Sequence, residues 1–355
     1  MTTHVQPEPL VTRPPLKIGE IELAHPFVQA ALSGYSDWAM RRVAKDFGAS
    51  YTLAEVMIDR FANDARLNAR TRHHFYISDD DHPVGAQLMG ADPIDFAQAA
   101  RKLSALGYDV IDINFGCPVK SAIGGCRGGF HLGQPDQAIE ILQRVRENVP
   151  PSIPVTLKMR RGIDDSPESR ERFFAILAAA YDNGLASVTV HGRTVEQKYR
   201  GPSSWEFLKQ VKEFAGDRAV LGSGDLFSAE DCVAMIRETG VDGVTIARGA
   251  IGNPWIFQQS IELWKHGTPP EPPSVFEQRE VLQQHLSYAM ELIPGSAFGI
   301  IKKFGFKYAR LHPLEIEIRK AFQKMRTETD WNHILDRFYR SDGAGKFPSV
   351  DETQG

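Results

Sequence analysis

The 355-residue sequence holds only three cysteines, Cys117, Cys126 and Cys232. They form no CxxC pair and no even framework, which excludes a disulfide scaffold and leaves no set of zinc ligands. No metal site is expected, and a reduced, cytoplasmic compartment fits this cysteine usage. No apolar run approaches the roughly 18 residues that a membrane span needs. The Pro-rich residues 1–15 lack the apolar segment of a signal peptide, so no membrane association is expected. Strong basicity is also absent. A formal net charge of −4 argues against coating nucleic acid through global charge, while leaving room for a local basic patch. A G-x-G-x-x-G fingerprint is missing as well. The first apolar run continues Ser33-Gly34-Tyr35-Ser36-Asp37, which speaks against a doubly wound dinucleotide fold.

What the chain does contain is repetition. Eight short apolar, β-rich runs recur at 26–32, 51–55, 83–89, 110–115, 155–160, 187–192, 219–225 and 243–249. Helix-length stretches with 3.6-residue periodicity lie between most of them, at 93–106, 135–149, 169–183 and 228–239. Asp92-Pro93 and Ser228 read as helix starts, and Gly107, Gly184 and Gly240 as stops. Eightfold strand–helix alternation predicts an α/β fold, a (β/α)8 TIM barrel over 16–265. Residues 266–274 contain Thr268-Pro269-Pro270-Glu271-Pro272-Pro273 and read as a linker. Residues 275–340 read as a small all-helical domain. The tails, 1–15 and 341–355, are expected to be disordered.

In such barrels the chemistry sits at the C-terminal ends of the strands. Polar residues recur there: Gln87, Asn114, Lys158 and Arg160, His191 and Arg193, Ser223-Gly224-Asp225, and Ala247-Arg248-Gly249. Any one of them alone reads first as a solvated or capping group, but six strands agree. Small residues at the last two strand ends, each before a helix start, expose backbone N–H groups suited to a phosphate, and Arg248 adds a cation. Lys158 and His191 would face the electron-rich edge of a bound ring. Flavin mononucleotide (FMN) fits this set; a sugar phosphate fits the phosphate part as well. Cys117, in Asn114-Phe115-Gly116-Cys117-Pro118, falls in a tight turn just past the fourth run. It reads as a proton donor, a nucleophile or a small buried hydrophobe.

That pentapeptide, with Leu157-Lys158-Met159-Arg160, His191-Gly192-Arg193-Thr194 and Ile251-Gly252-Asn253-Pro254-Trp255, resembles the motifs of the tRNA-dihydrouridine synthases in order and spacing over 16–257. The resemblance implies an FMN-dependent monomer that uses NADPH to reduce a uridine in tRNA. By the same resemblance Ala31, Leu32, Ser33, Gln87, Lys158, His191, Ser223, Gly224, Asp225, Ala247 and Arg248 bind FMN. Cys117 is the catalytic acid, and Asn114, Arg160, Arg193 and Tyr199 contact the substrate. Lys302, Lys303, Lys307 and Arg310, followed by Arg319, Lys320, Lys324 and Arg326, form a basic cluster read as RNA-binding. Phe304, Phe306, Tyr308 and Phe322 within it read as core or as stacking platforms. The alternative is a flavin barrel acting on a small pyrimidine or enone, with the helical domain used for dimerisation. Cys126 is a rival acid, Cys232 reads as core, and His25, His73, His74 and His131 read as surface or loop residues. The chain departs from the family pattern at Ala30-Ala31-Leu32, Ser121, Ser223 and the loop 124–129.

Overall fold

The computed structural model describes residues 14–68, 70–267 and 271–348. Residues 1–13 and 349–355 of the tails, and 268–270 of the linker, lie outside the described residues. No helix among those described is long and apolar enough to cross a membrane.

A short antiparallel hairpin, β1 (Lys17–Ile18) and β2 (Ile21–Glu22), precedes the barrel. The barrel strands are β3 (Phe27–Gln29), β4 (Tyr51–Leu53), β6 (Val84–Met89), β7 (Val110–Phe115), β8 (Val155–Arg160), β9 (Ser187–His191), β10 (Ala219–Ser223) and β11 (Gly243–Ile246). They pair in parallel in that order. β11 returns to β3 and β4 to β6, which closes the ring, while a two-residue strand β5 (Met57–Ile58) lies against the end of β6. The expected barrel is therefore the observed one. Its last two strands end early: β10 at Ser223, because Gly224 (φ +109°) and Asp225 (φ +56°) leave the extended path, and β11 at Ile246, because Ala247 does (φ −103°, ψ −100°).

Each strand divides its residues between two cores. Outward-facing Val155, Leu157 and Met159 of β8, with Ile111, Ile113 and Phe115 of β7, join the layer beneath the helices. Inward-facing Val28, Tyr51, Leu53, Val110 and Leu221 form a second cluster with Leu16, Ile18 and Leu23 of the hairpin segment. The hairpin thus stoppers the N-terminal end of the barrel. The C-terminal half of the interior is left to polar side chains. The outer helices begin at caps legible in the sequence, including Asp92 before Pro93–Ala105 and the Ser228/Asp231 capping box before Ala229–Thr239. Each such cap contributes about 1 kcal/mol.

The C-terminal layer comprises helices Val275–Leu292, Ala297–Tyr308, Glu315–Lys324 and Glu328–Phe338. Phe304, Tyr308 and Phe322 are buried in its core, so they are not stacking platforms. The layer docks on the barrel. Arg310 donates from Nη2 to Ile251 O at 2.9 Å, Tyr288 Oη donates to Asp46 at 2.8 Å, and the Lys303 ammonium reaches Gly34 O. At Gly252 a Cβ would lie 2.6 Å from the backbone of Lys307 and Tyr308, so only glycine permits the approach. Residues 341–348, expected to be disordered, instead follow this layer. Val275 N donates to Gly343 O, Lys346 N donates to Leu311 O, and the Lys346 ammonium pairs with Glu315 at 2.9 Å.

His285 is buried in the helical layer, its Nδ1 3.1 Å from Tyr308 Oη and its ring against Phe304. Burial, assisted by the Lys303 charge, pushes its pKa down to about 3. The unfolded chain takes up a proton near pH 6.5, so this histidine withdraws stability as pH falls below that value. It accounts for about 2 kcal/mol lost between about pH 7 and pH 5. His285→Leu is expected to flatten the acid limb of the unfolding free energy measured in urea, whatever its stability at neutral pH. An unchanged slope would contradict the assignment.

Candidate active site

Strand parity and register build the site. In β7 the inward positions are Asp112 and Asn114; in β8 they are Thr156, Lys158 and Arg160; in β9, Thr189 and His191; in β10, Ser223. Asn114 lies opposite Lys158, and Lys158 opposite Thr189; one pleat further on, Arg160 lies opposite His191, and His191 opposite Ser223. Lys158, His191 and Asn114, with Gln87 of β6, therefore converge at the C-terminal mouth.

Cys117 sits at the rim in a turn held from several sides. Gly116 and Cys117 N–H donate to Asn114 Oδ1 at 2.9 and 3.0 Å, the Asx-type closure this side chain favours. Arg160 Nε donates to Gly116 O at 2.9 Å, and Gly129 N donates to Cys117 O at 3.0 Å. At Gly128, whose φ is +62°, a Cβ would lie 2.8 Å from that of Cys117. The loop 124–129 is thus the floor under Cys117. Cys126, on the same loop, is exposed at φ +55°, and Cys232 is buried. His131 is corrected from a surface residue to a buried one. Its Nε2 lies 2.9 Å from Gly90 O and its ring packs on Phe115 at 4.7 Å, below the turn.

Positive charge dominates the mouth. Burial and the neighbouring Arg160 push Lys158 down to about 8, against the pull of Asp112 and Cys117. Its ammonium has no hydrogen-bond partner among the described residues. Burial holds Arg160 near 10; its Nη1 donates to Thr194 O and Lys198 O at 2.9 and 2.7 Å. His191 is driven well below its ordinary value, first by burial and then by Lys158, Arg160, Arg193 and Arg248. Tyr199 is 51% exposed at the rim, with the guanidinium of Arg248 at 4.9 Å and that of Arg160 at 5.7 Å from its ring.

Some expected site residues have other work. Arg193 is 2% exposed and makes a two-pronged pair with Asp225 at 2.8 and 2.7 Å, besides donating to Gly201 O. It is a strut, not a free substrate contact. The Asp225 carboxylate is likewise consumed, accepting from Ser203 N at 2.9 Å and lying 3.6 Å from Arg248. What this segment offers a ligand is backbone: the N–H groups of Gly224, Asp225 and Ala247 have no partner among the described residues. Ala31 and Leu32 are half-buried and Ser33 exposed, where β3 runs into a turn closed on Ser36 Oγ. In the basic cluster, Lys302 donates to Met325 O at 3.1 Å, Lys303 is held by Gly34 O, and Arg310 is buried against Ile251. Lys307 is half-buried; Lys320, Lys324 and Arg326 are exposed. Asp112 is the main residue that sequence reasoning missed. Its signal was its place two residues before Asn114, on the same inward face.

Known proteins bear on this geometry. The family profile described as Dihydrouridine synthase (Dus) matches residues 28–341. The "Probable tRNA-dihydrouridine synthase" of Rickettsia conorii is 31% identical over 92% of this chain and 97% of its own. The protein of the same name from Mycobacterium tuberculosis H37Rv is 32% identical over 94% of this chain and 87% of its own. The tRNA-dihydrouridine synthase B of Xanthomonas campestris pv. campestris is 31% identical over 88% and 92%. Among solved structures, histamine dehydrogenase from Rhizobium sp. 4-9 superposes with a TM-score of 0.55 at 14% identity, covering 77% of this chain and 50% of that one. Morphinone reductase in complex with tetrahydroNAD gives 0.53 at 13%, covering 73% and 92%. At such identities these two likenesses speak for the fold alone.

The strut makes a stability prediction. Asp225→Asn keeps a residue that tolerates a positive φ but strips the buried Arg193 of its counter-charge. It should cost about 2 kcal/mol in urea unfolding. A loss below about 0.5 kcal/mol would return Arg193 to the pool of free substrate contacts.

Proposed function

The chain belongs to the dihydrouridine synthase family, and from that premise we propose that it reduces the C5–C6 bond of specific uridines in tRNA to 5,6-dihydrouridine, with FMN as cofactor and NADPH as reductant. The observation that carries the cofactor is the uncompensated charge of the mouth. Lys158, Arg160, Arg193 and Arg248 all bear on His191, whereas Asp112 and Asp225 are the carboxylates set among them. An ammonium and backbone N–H groups that have no partner among the described residues, all at the same mouth, fit a ligand that brings both a phosphate and an electron-rich ring.

In this reading the N–H groups of Gly224, Asp225 and Ala247 and the Arg248 guanidinium take the phosphate, and Ala31, Leu32, Ser33, Gln87, Lys158 and His191 line the ring. When bound, FMN supplies the hydride for C6, which no side chain can provide. The remaining tasks fall to the protein. A uridine in folded RNA must leave its stack to enter the barrel mouth; Tyr199 offers it an exposed ring at the rim, and Asn114 and Arg160 orient the base. Cys117 delivers the proton to C5 from Sγ, held in its turn by Asn114, Arg160 and Gly129. Lys158 and Arg160 stabilise the negative charge that gathers on the uracil carbonyl. Lys320, Lys324 and Arg326, the exposed cations of the helical layer, are available to RNA phosphates.

Cys117→Ala is expected to retain bound FMN and its bleaching by NADPH while losing dihydrouridine formation in tRNA, read by mass spectrometry of digested nucleosides. A Cys126→Ala protein that is dead while Cys117→Ala is active would reassign the acid. FMN affinity is expected to depend on pH through Lys158. Below about pH 8 the group is an ammonium, and donating to an acceptor atom of the ring favours its charged form in the complex. Binding above that pH therefore takes up a proton, and affinity falls as pH rises. Titrations between about pH 7 and about pH 9 should show a severalfold loss in the wild type and none in Lys158→Met. A pH-independent wild type would remove Lys158 from the ring contact.

A further inference from the structure

Inside the barrel one continuous hydrogen-bond chain runs from a buried carboxylate to the backbone of the Cys117 turn. Asp112 is 3% exposed. Its Oδ1 accepts from Thr156 Oγ1 at 2.6 Å and its Oδ2 from Gln87 Nε2 at 2.7 Å. Gln87 Oε1 accepts from Asn114 Nδ2 at 2.7 Å. Asn114 Oδ1 accepts from Gly116 and Cys117 N–H. Gln87 is itself 1% exposed.

The direction of this chain is dictated at both ends. A carboxylate can only accept, so Gln87 must turn its NH2 inward and its oxygen toward Asn114. A backbone N–H can only donate, so Asn114 must turn its oxygen to the turn and its NH2 toward Gln87. The two ends demand the same arrangement, and neither amide is free to flip. Each NH2 has one hydrogen in the chain and one without a partner among the described residues. The second hydrogens make this wall of the site a donor surface, suited to ligand carbonyl oxygens.

We infer that Asp112 is a positioning residue: by anchoring Gln87 it ties the side chain beside the cofactor to Asn114 and to the turn that carries Cys117. The role for Gln87 rests on the flavin reading above; the link to Cys117 does not. Asp112 touches neither reacting atoms nor cofactor in this scheme. It acts by denying Gln87 and Asn114 their alternative orientations. Thr156 shares the carboxylate but lies off the chain, which supplies an internal control.

The test uses full-length protein on a Cys126→Ser background. Alkylation of Cys117 by iodoacetamide is followed in FMN-free protein by peptide mass spectrometry, and FMN affinity is titrated separately. Asp112→Leu should speed alkylation severalfold and weaken FMN binding about tenfold, the worth of one hydrogen bond. Asp112→Asn, whose amide oxygen still accepts from Gln87, should keep wild-type alkylation, while its FMN affinity also feels the loss of the charge beside Lys158. Thr156→Val should lower the melting temperature and change neither readout. If Asp112→Leu does not fold, Gln87→Leu breaks the same chain at its next link and should show the same faster alkylation. A folded Asp112→Leu or Gln87→Leu with wild-type alkylation would overturn the inference, as would a Thr156→Val that matches Asp112→Leu. Wild-type protein that binds no FMN would sink the flavin reading, while the alkylation comparison would still decide the coupling.

Discussion

The site depends on strand parity. In a closed parallel barrel each strand has one inner and one outer face, and a slip of one residue exchanges them. In β8 the outer set is Val155, Leu157 and Met159, all fully buried, and the inner set is Thr156, Lys158 and Arg160. Holding Lys158 at about 8 instead of 10.5 costs about 3 kcal/mol at neutral pH. Burying each outer side chain contributes about 1.5–3 kcal/mol, so three on this one strand outweigh it. The apolar layer under the helices is what keeps an ammonium inside the barrel.

Parity also explains what the sequence made legible. Short apolar, β-rich runs, turn residues and caps gave the eight strands and most helix limits, because these are local preferences. Gln87, Asn114, Lys158 and His191 were legible because a strand end fixes where its residues go. Partners were not legible, since pairing depends on long-range closure. Arg193 and Asp225 lie 32 residues apart, and only the approach of the β9 and β10 ends joins them. Arg310 and Lys303 read as surface charge until the helical layer docks and the barrel supplies their acceptors. His131 looked like a loop residue because nothing in its neighbourhood shows that the loop turns under Cys117.

Docking gives the helical layer a second role besides presenting cations. Two of its links to the barrel, from Lys303 and Arg310, fall on Gly34 and Ile251. Gly34 follows the segment 31–33 at the end of the first barrel strand, and Ile251 follows the turn after the last. These are adjacent strands, β3 and β11, on the rim where the Arg248 turn begins. The helices therefore brace the two loops on one side of the mouth. The Cys117 side is braced from within, by Arg160 and the Asp112 chain.

The tautomer of His191 completes the character of the wall. Its Nδ1 accepts from Arg193 N at 3.2 Å, and burial, with the surrounding cations adding to it, keeps the ring neutral. A neutral imidazole that accepts at Nδ1 carries its proton on Nε2, so that edge donates. Gln87 and Asn114 each have a spare N–H, and Lys158 has a whole ammonium. Gln87, Asn114, Lys158 and His191 then all have donors to spare, and the acceptors Asp112 and Asp225 are spent on positioning. Such a wall suits the carbonyl oxygens of a bound ring, and any N–H on that ring has to find its acceptor elsewhere.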